Sequence, residues 1–223
     1  MKHPRKTRPH GLIALIALSL LAAAAGCSSD AYDTGDGQYS YLQADFGMAH
    51  VTTAKTVDYI LTDRGDTVIL STPATASWLP AKDTLCRALA YYDVKTKRLF
   101  SLSQVMVTRA ADKAQVDNAP TDPLALESAW CGGGYLNIGF AVKTGQTDAV
   151  DTRQSIGLMV DTVETEGDSV RAVTLRLLHE QNGVPQYYTV KSYLSMPLPS
   201  EWQHARLTVA ANSYQGEQRL TAQ

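Results

Sequence analysis

An alternation of apolar and polar residues with a period of two runs through most of this chain and constrains its fold more than any other feature. From Phe46 onward apolar side chains recur at every second position, and turn formers such as Asp63 to Asp66 interrupt the pattern. Successive side chains of a strand point to opposite faces, so each such run can place one face on a core. No segment after residue 26 shows a long helical period. The sequence therefore predicts an all-β protein.

The alternation divides into two predicted domains. Residues 44–110 hold five short runs, including Leu85–Asp93 and Leu99–Val107, which are typical of a small OB-like β-barrel. Residues 111–124 are rich in turn formers and prolines, which predicts a linker. Residues 125–223 then predict a C-terminal antiparallel β-sandwich. Its longer predicted strands are Tyr135–Val142, Ser155–Val163, Arg171–His179, Tyr187–Met196 and Ala205–Ala211.

The first 26 residues predict an export signal. Four basic residues precede an apolar run of 15 residues from Gly11 to Ala25, and small residues close that run before Cys27. A membrane-spanning helix needs about 20 apolar residues, so the run is short for one. We expect cleavage before Cys27 and lipidation of that cysteine, although Ala24 stands where lipoprotein signals most often carry leucine. Plain secretion, with cleavage near Ala25, is the alternative.

Residues 27–43 predict a tether, because they are small and polar and cannot bury enough apolar surface to order themselves. Removal of the leader would take away four of the 20 Lys and Arg residues and none of the 22 Asp and Glu residues. The remaining chain would carry a formal charge of about −6, and no basic cluster survives in it. Nucleic acid is therefore not expected as a partner.

Few residues of the remaining chain suggest a disulfide, a catalytic site or a metal site. Cys86 and Cys131 could form a disulfide after export or lie buried separately. Cys131 precedes three glycines whose amides could stabilise an anion, but no base accompanies it, and a tight glycine turn explains the same residues. Two further sets are candidate metal ligands. His50, His179 and His204 are widely spaced and lack zinc-site spacing, and the acidic residues Asp161, Glu164, Glu166 and Asp168 lack the spacing of a calcium loop.

Aromatic residues are the remaining candidates for binding. Trp78 lies in a loop between Pro73 and Pro80, where its ring could stack on a sugar. Trp130 and Trp202 could also form part of a binding platform. Among these, Trp78 is the predicted ligand-binding residue.

One segment carries a family resemblance. Residues 128–140, with the sequence SAWCGGGYLNIGF, resemble the W-I-G-G-x-Y-L-N-V-x-F element that opens the second domain of NigD-like proteins. The order of a lipoprotein signal, an OB-like barrel, a proline-bearing connector and a β-sandwich is also similar to that family, with Cys131 where an aliphatic residue is usual. The resemblance implies the fold and an envelope lipoprotein. The association of the family name with a bacteriocin locus suggests an immunity or accessory role, and no catalytic residues come with it.

Together these features predict a non-enzymatic, lipid-anchored envelope protein with a binding or assembly role and no cofactor. Ser28, instead of an aspartate, follows Cys27, which favours the outer membrane, on its periplasmic or its exterior side. The expected partners are the membrane, through the N-terminal lipid, and an envelope protein or a glycan. Two alternatives stay open: a glycan-binding accessory lipoprotein and a bacteriocin-associated immunity or accessory protein. An enzyme that uses Cys131 is a third.

Overall fold

The alternating segments form β-strands in the computed structural model, which describes residues 41–146 and 153–222. The predicted leader, Cys27 and residues 27–40 of the predicted tether lie outside the described residues. Within the described ranges there are two short 3-10 helices and no α-helix, and no helix has the length and hydropathy to cross a bilayer. The predicted all-β class, with an OB-like half-barrel followed by a β-sandwich, is confirmed.

The half-barrel is a single antiparallel sheet of five strands in the order β3-β2-β1-β4-β5. The strands are β1 (Leu42–Val51), β2 (Val57–Thr62), β3 (Thr67–Ala74), β4 (Thr84–Asp93) and β5 (Leu99–Gln104). The sheet curls until Ser71 N donates a hydrogen bond to Lys97 O at 3.1 Å, which brings the two edge strands together at one end. Apolar residues of alternate positions fill its inside, among them Val57, Ile60 and Tyr92.

The sandwich consists of two facing sheets, in the orders β6-β12-β9-β8 and β14-β13-β11-β10-β7. Its strands are β6 (Met106–Val107), β7 (Ala111–Asp112), β8 (Ala125–Gly132), β9 (Tyr135–Thr144), β10 (Ser155–Glu166), β11 (Ser169–Glu180), β12 (Tyr188–Pro197), β13 (Arg206–Ser213) and β14 (Gly216–Thr221). Their inner faces enclose a core that includes Phe140, Leu175 and Leu194.

The sandwich is not purely antiparallel. β13 runs parallel to β11 over Ala172 to Leu177, because the intervening β12 crosses to the opposite sheet and the chain returns in the original direction. β8 and β14 were not among the strands predicted from the sequence. β5 and β6 were not predicted as separate strands either, because both lie within the single apolar run predicted as one strand.

The segment predicted as one strand, Leu99–Val107, passes between the two parts of the fold. Its first half is β5 of the half-barrel and its last two residues are β6, which pairs with β12 of the sandwich. The break is at Val105, whose N–H donates to Arg87 O in β4 at 3.1 Å. The region predicted as a linker, 111–124, contains β7 and the 3-10 helix Lys113–Gln115, and β7 pairs with β10.

Candidate functional site

A buried arginine lies where the half-barrel meets the sandwich. Arg87 belongs to β4, between positions that face the core of the half-barrel, so its side chain points to the opposite side of the sheet. The residue is 3% exposed. Burial of a guanidinium is costly unless charge partners and hydrogen-bond acceptors surround it, and both are present here.

The charge partner comes from the half-barrel itself. Asp63 begins the turn between β2 and β3, and its backbone N–H is bound to Phe46 O at 2.8 Å. Arg87 donates from Nη1 to Asp63 Oδ1 and from Nη2 to Asp63 Oδ2, both at 2.5 Å. This two-pronged geometry is the strongest form of an arginine–carboxylate pair. The turn residues that were predicted only to reverse the chain therefore also supply an anion.

The remaining acceptors come from the sandwich. Arg87 Nη2 donates to Asn137 Oδ1 in β9 at 2.9 Å, and Arg87 Nε donates to Ser195 Oγ in β12 at 3.1 Å. Ser195 Oγ in turn donates to Asn137 Oδ1 at 2.6 Å. Asn137 and Ser195 are both fully buried. Three segments separated along the sequence by 24, 50 and 108 residues from Arg87 thus share one hydrogen-bonded network.

Aromatic rings surround this network. The guanidinium carbon of Arg87 lies 4.3 Å from the ring centroid of Tyr135 and 5.7 Å from that of Phe46, which are cation–π distances. Phe46 makes edge-on contacts with Trp130 and Tyr193 of the sandwich, at centroid separations of 5.0 and 5.1 Å. We call Arg87, Asp63, Asn137 and Ser195, together with these four aromatic residues, the junction cluster.

The glycine run of the NigD-like segment is the turn that brings β8 and β9 to this cluster. Gly133 and Gly134 have φ values of +59° and +80°, so the predicted glycine turn is confirmed. Gly133 also approaches Asp63 so closely that a Cβ atom there would overlap the carboxylate. The aromatic, glycine and asparagine positions of the segment therefore hold the sandwich against the half-barrel.

Two clefts flank the junction cluster. The larger has a volume of about 660 Å³ and lies between β4 and β5 on one side and β12 on the other; Tyr193 is part of its wall. The smaller, of about 380 Å³, is lined by Phe46, Trp130 and Cys131 and by the ion pair of Arg64 with Asp45. Binding sites are often found where two parts of a fold meet, which makes both clefts candidates.

Neither cysteine is bonded. Cys86 is half-buried and Cys131 is exposed, and both are free. Of the two alternatives, the disulfide is therefore excluded, and separate burial is wrong for Cys131. Cys131 lies near the end of β8, which is an edge strand, beside the glycine turn. Desolvation raises the pKa of both thiols, which opposes formation of a reactive thiolate at neutral pH.

Trp78, the predicted ligand-binding residue, packs against the core of the half-barrel. Its ring is half-buried, and Nε1 donates to Leu102 O in the edge strand β5 at 3.4 Å. Trp78 thus covers part of that edge, away from the junction cluster. Its role in ligand binding stays a prediction. Trp202, in contrast, helps line an apolar cleft of about 350 Å³ on the sandwich.

The residues considered as metal ligands do not come together, and no group of His, Cys, Asp or Glu residues in the described part of the chain could hold a metal ion. His50 is held between Asp58 and Asp83, at 2.7 and 3.2 Å, and the hydrogen bond to Asp58 raises its pKa. His179 is buried in β11, and its Nδ1 contacts the carbonyl oxygens of Asp122 and Pro123 at 3.3 and 3.2 Å. Asp161 forms ion pairs with Lys113 and Arg176, which lower its pKa.

Arg87, Asn137 and Ser195 are functional residues that were not predicted from the sequence. A signal for the first was present, since an arginine within the apolar run LCRALAYYD predicts a buried charge that needs a partner. No local signal indicates which residues those partners are. Chemically, the network uses four hydrogen bonds donated by one guanidinium to bind the half-barrel to the sandwich. It contains neither a nucleophile paired with a base nor a set of metal ligands.

Comparison with known proteins bears on the same region. The NigD-like C-terminal beta sandwich domain matches residues 105–223, and this segment starts at the residue where the chain leaves the half-barrel. No curated protein matches the chain.

Three solved structures share the fold. A NigD-like immunity protein from Bacteroides caccae has 21% identity and a TM-score of 0.60, with coverage of 80% of this chain and 90% of that one. A putative toxin related protein from Parabacteroides distasonis has 20% identity and a TM-score of 0.59, with coverage of 81% and 91%. A protein of unknown function from Bacteroides vulgatus has 17% identity and a TM-score of 0.56, with coverage of 80% and 90%. The family match spans more than half of the sequence, and the chain therefore belongs to the NigD-like family.

Proposed function

We propose that this chain is a lipid-anchored protein of the bacterial outer membrane that acts by binding a partner beside the junction cluster, without catalysis. The observation that carries the proposal is that two clefts lie against one rigid ionic and aromatic cluster, at the meeting point of the half-barrel and the sandwich. Arg87 is fully engaged within the protein, so it supports the clefts and is not itself available to a substrate.

The anchor is supported by the sequence of the leader and by Cys27 at its end. Lipid attachment is tested by labelling cells with radioactive palmitate and isolating the protein. Label is expected in the wild type and absent from Cys27→Ala, and fractionation is expected to place the labelled protein with the outer membrane. An unlabelled wild-type protein in the soluble fraction would contradict the anchor.

Binding at the clefts is tested by photo-crosslinking in intact cells. A photoreactive amino acid replaces Ser103 in the larger cleft or Ala44 in the smaller one, and Ile69, which is 70% exposed on β3, serves as the control position. A cross-linked partner is expected from at least one cleft position and not from Ile69. Equal yields at all three positions would reject the clefts as binding sites.

A second candidate is a bacteriocin-associated immunity role. It is supported by two proteins with a similar fold, one described as a NigD-like immunity protein and one as toxin related. Deletion of the gene is then expected to make cells sensitive to a bacteriocin encoded nearby, and expression of the full chain to restore resistance. Unchanged sensitivity would leave the binding proposal standing and remove the immunity role.

A further inference from the structure

The strand β12 has an outer edge that is only partly covered. It pairs with β9 along its whole length, from Tyr188 to Pro197. On its other side, within the described part of the chain, the ladder consists of β6 alone, which reaches Leu194 and Ser195. The edge of β12 that precedes Leu194 therefore has no described strand beside it.

The course of the chain explains this partial cover. β6 runs parallel to β12. If β6 extended towards the N-terminus, the residues before Met106 would pair with β12 beside Tyr193 and Lys191. Instead the chain turns at Val105, whose N–H is bound to Arg87 O in the half-barrel. The row next to β12 thus stops where the chain passes from one sheet to the other.

The backbone groups on this edge point outward. Leu198 N donates to Gly134 O at 2.9 Å, so even-numbered residues of β12 direct their backbone groups to β9. Ser195 O accepts from Thr108 N at 3.1 Å, on the side of β6. Because these directions alternate along a strand, Lys191 directs its N–H and C=O groups to the open side, and Tyr193 directs its N–H group there, while its C=O group faces Met106 in the parallel ladder. An edge that presents such groups is a template for another strand.

The larger cleft lies along this edge. Lys191, Ser192 and Tyr193 form one wall, Leu89 and Tyr91 of β4 with Ser103 and Gln104 of β5 form the other, and Met106 lies at the end of β6. Apolar and aromatic side chains belong to the same lining: Met106 is 42% exposed, and Leu89, Tyr91 and Tyr193 are parts of the walls. The cleft therefore offers both main-chain hydrogen-bonding groups and apolar surface.

We propose that this cleft takes an extended segment of a partner polypeptide, which adds to β12 as a strand in line with β6. This inference rests on the proposed binding function and names the chemistry of its partner. The lining residues include one cation, Lys191, and no carboxylate. Lys191 forms an ion pair with Glu127 of β8 at 3.0 Å, on the side of β12 away from the open edge, so main-chain hydrogen bonds and alternating apolar residues hold the segment.

The shape of the cleft favours a single strand over a second copy of this protein. In a second copy the same edge also faces β4 and β5, so pairing of two such edges would have to bring β4 and β5 of both copies together as well. A slim extended segment meets no such obstacle.

The test uses the full chain, purified from detergent-solubilised membranes, and a random heptapeptide library displayed on phage. Enriched peptides are expected to carry apolar residues at alternate positions. Binding of an enriched, fluorescently labelled peptide is then measured by anisotropy to the wild type, Lys191→Pro and Lys191→Ala. Both variants lose the ammonium group, but only proline also removes the outward N–H, and it leaves the ladder to β9 intact.

Affinity is expected to fall at least about tenfold for Lys191→Pro, and less than about fivefold for Lys191→Ala. Ser103→Trp, which fills the cleft from the opposite wall without a change in β12, is expected to weaken binding as well. In hydrogen exchange, the peptide is expected to protect the amides of Lys191 and Tyr193.

Three results would each overturn the inference. The first is that no peptide is enriched. The second is that Lys191→Pro and Lys191→Ala bind the peptide with equal affinity while binding to Ser103→Trp is unchanged, and the third is that the full chain forms dimers that Lys191→Pro dissociates. A partner cross-linked through Ala44 in the smaller cleft, with no peptide binding at β12, would reject this inference and keep the proposed function.

Discussion

Gly133 lies directly against the carboxylate of Asp63, in a left-handed conformation with φ of +59°. The first residue belongs to the turn between two sandwich strands and the second to a hairpin turn of the half-barrel. Their contact leaves no room for a side chain at Gly133 and positions Asp63 to bind Arg87. The glycine turn and the buried ion pair are thus parts of one structure.

This contact predicts a specific cost for a methyl group at Gly133. Gly133→Ala is expected to lower the free energy of unfolding by about 2 to 4 kcal/mol, because a strained φ adds to a collision with Asp63. Gly134→Ala is the matched control, since its φ is +80° but an added Cβ would meet no atom within 4 Å. It is expected to cost only about 1 kcal/mol. Urea unfolding measures both, and equal costs would argue against the contact.

Removal of the buried cation predicts a larger loss. Arg87→Met is expected to lower the free energy of unfolding by about 3 to 5 kcal/mol, because Asp63 and the buried Asn137 and Ser195 lose their common partner.

Arg64→Met serves as the control for Arg87→Met. Arg64 also binds an aspartate, Asp45, but its own side chain is 57% exposed, and Asp45 keeps the hydroxyl of Tyr92 at 2.6 Å. Its loss is expected to cost below about 1 kcal/mol. If urea unfolding gives similar values for the two variants, the junction cluster does not stabilise the fold as described.

The environment of His50 predicts a dependence on pH. A hydrogen bond to Asp58, and a weaker effect of Asp83, raise the pKa of His50 above its ordinary value of 6.5. Its contribution to stability is therefore fully present below about pH 6.5 and is lost as the pH rises through the higher pKa of the folded state. A titration followed by the NMR signals of the imidazole ring measures this pKa.

Substitution of the two aspartates separates their effects on His50. Asp58→Asn is expected to lower the pKa of His50 more than Asp83→Asn does, because the bond to Asp58 is the shorter of the two, at 2.7 against 3.2 Å. A pKa at or below 6.5 in the wild type, or an equal response to both substitutions, would contradict this arrangement.

The free cysteines predict a pattern of alkylation. Iodoacetamide is expected to react with the exposed Cys131 of the native protein before it reacts with the half-buried Cys86. The raised pKa of Cys131 predicts slow reaction at neutral pH and faster reaction as the pH rises. Mass spectrometry after timed labelling follows both sites. Labelling of either cysteine only after treatment with a reductant would contradict the free state of both thiols.

Local patterns were sufficient to predict the strands of the half-barrel and several of the sandwich. Alternation at Leu85–Asp93 corresponds to β4, and the turn residues at Asp63 to Asp66 do join β2 to β3. These features depend on near neighbours in the sequence, since the period of a strand and the φ of a turn glycine are local properties. The division of the run Leu99–Val107 between two sheets could not be predicted in this way. The local pattern of a strand that changes partners at Val105 is the same as that of one continuous strand.

The sequence by itself determined the all-β class, the order of half-barrel and sandwich, and the need for glycine at the turn before Tyr135. Only the tertiary structure decided that Asp63, Asn137 and Ser195 meet around Arg87, and that the outer edge of β12 opens into a cleft. The physical reason is that strand register and the packing of one sheet on another select among many possible partners for a buried charge. That choice depends on residues 24, 50 and 108 positions away, and no short pattern encodes it.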